Sequence, residues 1–214
     1  MLITRRSTLS LVGASLFGGP ALAAQSAAAS AAPVVNPYSQ RSIGSAKAPV
    51  VALEFFSLTC THCAHFATVT MPKVKPNLVD TGKLQIIYHD FPLDQVALKA
   101  AQVARYLPAE QYYPFIEALF AAQDDWAFQP GEDYHASIFK YAALAGMDQA
   151  TYNTAWNDDK LAQFILSGQQ EAEKMYNINA TPTFVINGTV HPGAAEYDDF
   201  AAMVEAAAKA PAKG

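Results

Sequence analysis

Val50-Val51-Ala52-Leu53-Glu54-Phe55-Phe56-Ser57-Leu58-Thr59-Cys60-Thr61-His62-Cys63-Ala64-His65-Phe66 changes character halfway along. Its first seven residues are apolar or aromatic apart from Glu54, which suits a strand buried on both faces better than an amphipathic helix. From Cys60 onward the residues suit a helix, so two cysteines separated by two residues fall at a strand-to-helix junction. The first helical N–H groups lack intrahelical partners and the dipole places partial positive charge there. A Cys60 thiolate is therefore favoured over its thiol. His62, if protonated, would add to this effect. Such a pair can close a small disulfide and act as a reversible two-electron couple, so thiol–disulfide exchange is the chemistry implied.

The whole chain of 214 residues has a net charge of −5 and is half apolar, enough for one sizeable core with or without an insertion. At the amino end, Arg5 and Arg6 precede an apolar run over residues 9–17 and the small-residue pattern Ala21-Leu22-Ala23. Residues 1–23 are thus expected to be an export signal cleaved near Ala23, with a periplasmic or otherwise exported mature protein. Their removal leaves 12 basic against 19 acidic residues, net −7, which disfavours nucleic acid as a partner. The context Thr4-Arg5-Arg6-Ser7-Thr8-Leu9 resembles a twin-arginine signal with departures at Thr8 and Ser10, so the export route stays open. Export would place the chain's two cysteines where disulfides persist. A loop this small removes little entropy from the unfolded chain, so a redox-active pair is expected rather than a structural staple.

Residues 24–36, rich in Ala, Ser and Gln, read as a linker. Residues 64–79 carry helical spacing interrupted by Pro72 and Pro76, which predicts a kink at Pro72, and Asp80-Thr81-Gly82 ends the helix. Residues 83–89 read as a second strand. Helical periodicity then recurs over 96–107, 111–122, 134–145, 149–156 and 159–176, with breaks at Pro108, Pro130-Gly131 and Gly146. Strands over 183–186 and 189–191 flank Asn187-Gly188, a strong hairpin signal, and residues 197–208 read as a closing helix.

Phe55-Phe56-Ser57 with Cys60-Thr61-His62-Cys63, Asp80-Thr81-Gly82-Lys83 with Asp90-Phe91-Pro92-Leu93-Asp94, and Ala180-Thr181-Pro182-Thr183-Phe184 together resemble the DsbA-like branch of the thioredoxin superfamily. The resemblance covers about residues 41–208. It implies an α/β thioredoxin fold with an inserted helical domain: core over 37–91 and 172–209, insertion over 92–171. It also implies a cis peptide at Thr181–Pro182, with both residues lining the substrate groove. Cys60 and Cys63 are then the catalytic couple, with no other cofactor. Cysteine-containing secreted proteins would be the clients, and a membrane redox partner, a quinone-linked oxidase or a reductant, would reset the couple. Thr61 and Thr181 depart from the Pro and Val of the best-known members, so the direction of electron flow stays open between oxidase and reductase or isomerase.

By the same resemblance Glu54, six positions before Cys60, is the buried acid that exchanges a proton with Cys63. His62 is expected to stabilise the thiolate. A non-catalytic client-binding or metal-binding module is the remaining alternative. On one helix, however, the two cysteines and the pair His62 and His65 point to opposite sides, so no metal site is expected.

Overall fold

The computed structural model describes residues 35–129, 131 and 133–210. The expected export signal, most of the expected linker and the last four residues lie outside that range. The strand read first, β2 (Val50–Phe56), runs through the middle of a five-stranded sheet. On one side it pairs in parallel with β3 (Leu84–Asp90), and beyond it lies antiparallel β1 (Arg41–Ile43). On the other side it pairs antiparallel with β4 (Thr183–Ile186), which continues into β5 (Thr189–Pro192). Val50, Ala52 and Phe56 face one packed layer and Phe55 the other, which is why the segment reads as nearly continuous apolar sequence.

β1 is not expected from the sequence, since three residues carry no usable alternation. Its anchor is tertiary: the buried Arg41 guanidinium donates to the backbone oxygen of Arg105 at 2.7 Å.

After the cysteines the helix departs from the expected single kink. It runs as α1 (Thr61–His65), a π-helical turn (Phe66–Thr70), α2 (Met71–Val74) and a second π-helical turn (Lys75–Val79). Each widened turn closes through an i to i−5 bond, Met71 N–H to Phe66 O and Asp80 N–H to Lys75 O. A proline cannot donate and its ring crowds the preceding turn, so one extra residue per turn accommodates Pro72 and Pro76. Gly82, at φ +74°, ends the segment as Lys83 N–H returns to Leu78 O at 3.0 Å.

Helices α3 (Gln95–Arg105), α4 (Ala109–Ala121), α5 (Gln123–Trp126), α6 (Tyr134–Leu144), α7 (Gln149–Trp156) and α8 (Asp159–Tyr176) occupy the stretch between β3 and β4. The carboxylates of Asp94, Asp133, Asp148 and Asp158 cap α3, α6, α7 and α8 by accepting first-turn N–H groups, which explains where these helices start. The single-turn α5 is not expected from periodicity. The β4–β5 turn uses Asn187 and Gly188 at φ 44° and 81°, and α9 (Tyr197–Lys209) closes the chain.

One apolar cluster runs from the sheet (Phe56, Leu84, Ile86) into the helices (Tyr112, Phe115, Trp126), so these helices share the core of the sheet. The expected boundary at 171–172 falls inside α8. The first half of that helix packs on α3 through Leu161 and Ile165, and Ala172 packs on Phe55 and Val185 across the other face of the sheet.

Candidate active site

Cys60 is the N-cap of α1, with φ −85° and ψ 120°, and it supplies no side-chain cap of its own. Its sulfur is therefore free to face the groups around the helix start. Both cysteines are free thiols in this structure, Cys60 8% exposed and Cys63 fully buried. The Cys60 pKa is held down to about 5, first by the hydrogen bond from the Cys63 thiol. Burial opposes this, while the Thr181 side chain and the backbone N–H groups of Cys63 and His62 add to it. As a thiol, Cys60 Sγ donates to the Thr181 backbone oxygen at 3.2 Å. The Thr181 hydroxyl is buried and has no other partner, so it is the group that can donate to the sulfur once Cys60 ionises.

The environment of Cys63 acts in the opposite direction. Burial, then the hydrogen bond and charge of Cys60, push its pKa well above that of an ordinary thiol, and the charge of Glu54 adds to the push. Glu54 lies on β2 between Tyr88 of β3 and Phe184 of β4, 3% exposed, with Oε2 unpartnered. It borders a cavity of about 10 Å³ shared with Tyr88, Tyr113 and Glu117, the scale of a single water. Desolvation raises its pKa to about 8, so the carboxyl is largely protonated at neutral pH and can hand a proton to a Cys63 thiolate.

A carboxyl whose folded pKa is raised contributes stability that is complete below its unfolded value near 4.5 and lost as pH climbs through about 8. The loss by pH 7 is up to about 3 kcal/mol. Glu54→Gln stays neutral throughout, so its urea-denaturation stability is expected to fall less than that of the parent between pH 4.5 and pH 8. Parallel pH profiles for the two proteins would remove Glu54 as a buried neutral acid.

Of the residues singled out in the sequence, Cys60, Cys63 and Thr181 meet at the sulfur, and Glu54 couples to it through Cys63. Thr181–Pro182 is a cis peptide. The His62 side chain is exposed, and what reaches Cys60 from this residue is its backbone N–H rather than its ring. His65 turns to Glu196, with Nε2 3.0 Å from Oε1. Among the described residues no group of three or more His, Cys, Asp or Glu side chains could hold a metal ion.

Two participants carry no sequence signal, and a third, Ser57, enters the sequence reading only as the end of the motif Phe55-Phe56-Ser57. Ser57 supplies a backbone hydrogen bond to Cys63. Gly193 N–H donates to Pro182 O at 2.8 Å, which joins the Thr181–Pro182 turn to the loop before α9. Gln123 reaches the cysteine turn from the helical region. Each is brought in from a distant part of the chain or acts through the backbone, where no spacing pattern marks it. From Gly193 an open groove of about 730 Å³ runs between the β4–β5 hairpin and α9, lined by Phe184, Ile186, His191, Pro192 and Met203 among others.

A central strand leading into Cys-x-x-C at a helix start, faced by a cis-proline turn, defines the thioredoxin superfamily class of thiol–disulfide proteins. The family model described as thioredoxin matches residues 37–206. Among solved structures, alpha-DsbA1 of Wolbachia pipientis superposes with a TM-score of 0.74 at 31% identity, covering 82% of this chain and 94% of that one. Oxidised BdbD of Bacillus subtilis gives 0.68 at 22% identity over 80% of this chain and 94% of its own, a likeness of fold. A proposed protein-disulfide oxidoreductase of Rickettsia typhi is 27% identical over 147 residues, 68% of this chain and 54% of that protein. This chain belongs to the DsbA-like thiol:disulfide oxidoreductase family. It spans about half the length of the curated relatives it matches.

Proposed function

We propose that this protein is an exported oxidase that donates a Cys60–Cys63 disulfide to cysteine pairs of secreted proteins. The observation that carries the proposal is the divergence of the two sulfurs, one held as a thiolate near neutral pH and its neighbour held as a thiol. A client thiolate attacks Cys60 Sγ, the Cys60–Cys63 bond breaks, and Cys63 leaves as a thiolate that takes the proton of Glu54. The client's second thiolate then attacks the client sulfur of the mixed disulfide and expels Cys60, whose stabilised thiolate is a good leaving group. Two electrons pass from the client to the couple, and a quinone-linked membrane oxidase removes them. The client backbone lies along Thr181 and Pro182, with apolar side chains in the groove beside α9.

Equilibration of the couple with glutathione buffers tests the direction of flow. A donor is expected to show a reduction potential above about −180 mV, and Thr181→Val, which deletes the hydroxyl beside Cys60, is expected to make it more reducing. A parent potential near or below that of thioredoxin, about −270 mV, would overturn the oxidase reading in favour of a reductase. An unchanged potential in the variant would remove Thr181 from the mechanism.

A further inference from the structure

Gln123 follows the break between α4 and α5, where Ala122 leaves helical geometry at φ −112° and ψ 22°. Its side chain is 5% exposed and turned inward. Nε2 donates to two backbone oxygens more than sixty residues away, Leu58 O at 2.8 Å and Cys60 O at 3.1 Å. An amide NH2 has two hydrogens, so this one group is fully used on the two carbonyls. The turn between them closes through Cys60 N–H to Ser57 O at 3.1 Å, and Cys60 O also accepts Ala64 N–H, the first bond of α1, at 3.0 Å. Without Gln123, Leu58 O would lack its interior donor, and a buried carbonyl left so is costly. The two anchored carbonyls bracket Thr59 and set the backbone of Cys60, from which the sulfur is aimed at the N–H groups of His62 and Cys63.

We propose that Gln123 is a positioning residue through which the helical region holds the Leu58–Cys60 turn and so aims the Cys60 sulfur at the start of α1. The same interaction ties the α4–α5 junction to the reacting atom. A movement of these helices that draws Gln123 back would thereby loosen the aim of the nucleophile. The inference rests on the reading of Cys60 as the attacking thiol.

The test follows Cys60 ionisation by thiolate absorbance in the reduced protein, with mass-spectrometric mapping of the alkylated sulfur. Gln123→Ala and Gln123→Met are both expected to raise the Cys60 pKa by about one unit, a tenfold lower thiolate fraction at pH 4. Methionine fills the space without donating, so the second variant reports on the lost donors even where the first fails to fold. Ile165→Val, in α8 and packed with Leu98 and Ala101 in a cluster apart from the one that holds the cysteines, is expected to lower the melting temperature and leave the titration unchanged. A parent-like titration in folded Gln123→Met would overturn the inference. So would an equal shift in Ile165→Val, because the effect would then be general destabilisation. Mapping separates the two readings: a low-pKa sulfur found at Cys63 would overturn the assignment of the nucleophile itself, whereas one at Cys60 that ignores Gln123 overturns this inference alone.

Discussion

Cys60→Ser is expected to abolish thiol–disulfide exchange, and Cys63→Ser to accumulate mixed disulfides through Cys60 when offered a disulfide such as oxidised glutathione. A serine hydroxyl at position 60 cannot ionise near neutral pH. Removal of Cys63 spares the attacking sulfur and deletes the thiol that would release the partner. Alkylation of the reduced parent protein distinguishes the roles directly, provided the pH is chosen by magnitude. At pH 7 the thiolate at Cys60 outnumbers that at Cys63 by at least about a hundredfold, but intrinsic nucleophilicity falls with pKa and offsets roughly the same factor. At pH 5 Cys60 is about half ionised while Cys63 is ionised in fewer than about one molecule in ten thousand. Labelling of Cys60 should then be faster by a factor on the order of fifty, before burial protects Cys63 further. Faster labelling of Cys63 in acid would reverse the assignment.

The second expected result is a change in the relative stability of the two redox forms with pH. A thiolate with a depressed folded pKa contributes stability that is fully present above the unfolded value of about 8.5 and lost as pH falls through the folded value. For Cys60 that lower limit is about 5. Integration over this window favours the reduced fold by about 2 to 3 kcal/mol at pH 7 and by almost nothing at pH 4. The oxidised form has no such thiolate, and its four-residue loop contributes about 2 kcal/mol through the unfolded chain. Glu54 titrates in both forms and largely cancels from the difference. Paired urea titrations should therefore show the oxidised protein more stable at pH 4 and its advantage erased or reversed by pH 7. A structural staple would keep the oxidised form ahead by a constant margin. That outcome would sink the donor reading, because by the thermodynamic cycle extra stability of the reduced fold is what raises the potential of the couple.

Much of the candidate site is local, and so legible in the sequence. The run from Val50 to Phe56 is apolar because both its faces are covered, Cys60 precedes a helix start within a few residues, and Asn187-Gly188 tolerates the positive φ that its turn requires. The Thr-Pro of the second loop was recognisable by resemblance. Beyond Thr181 and Glu54, the groups that hold the two sulfurs in place were not legible. Gly193 and Gln123 act through hydrogen bonds that leave no periodicity, and the His62 ring, promising by its place between the cysteines, lies exposed while its backbone N–H reaches the sulfur.

The sequence by itself determined the strand, the redox pair, the hairpin and the helical stretch between them, because periodicity, caps and turn residues act over a few neighbours. The path of the helix through Pro72 and Pro76, the short strand β1 and the unequal environments of Cys60 and Cys63 were decided only in the tertiary structure. Burial depends on what packs above a residue: the oxygen that meets the Cys60 sulfur comes from the Thr181–Pro182 turn before β4, and the donor that holds the Leu58–Cys60 backbone comes from the α4–α5 junction. Desolvation and directed hydrogen bonds fall off within a few ångströms in space, whatever the distance along the chain. Two thiols three residues apart can therefore have opposite pKa shifts: the helix start marks the lowered one in the sequence, and what packs around each sulfur sets how far the two diverge.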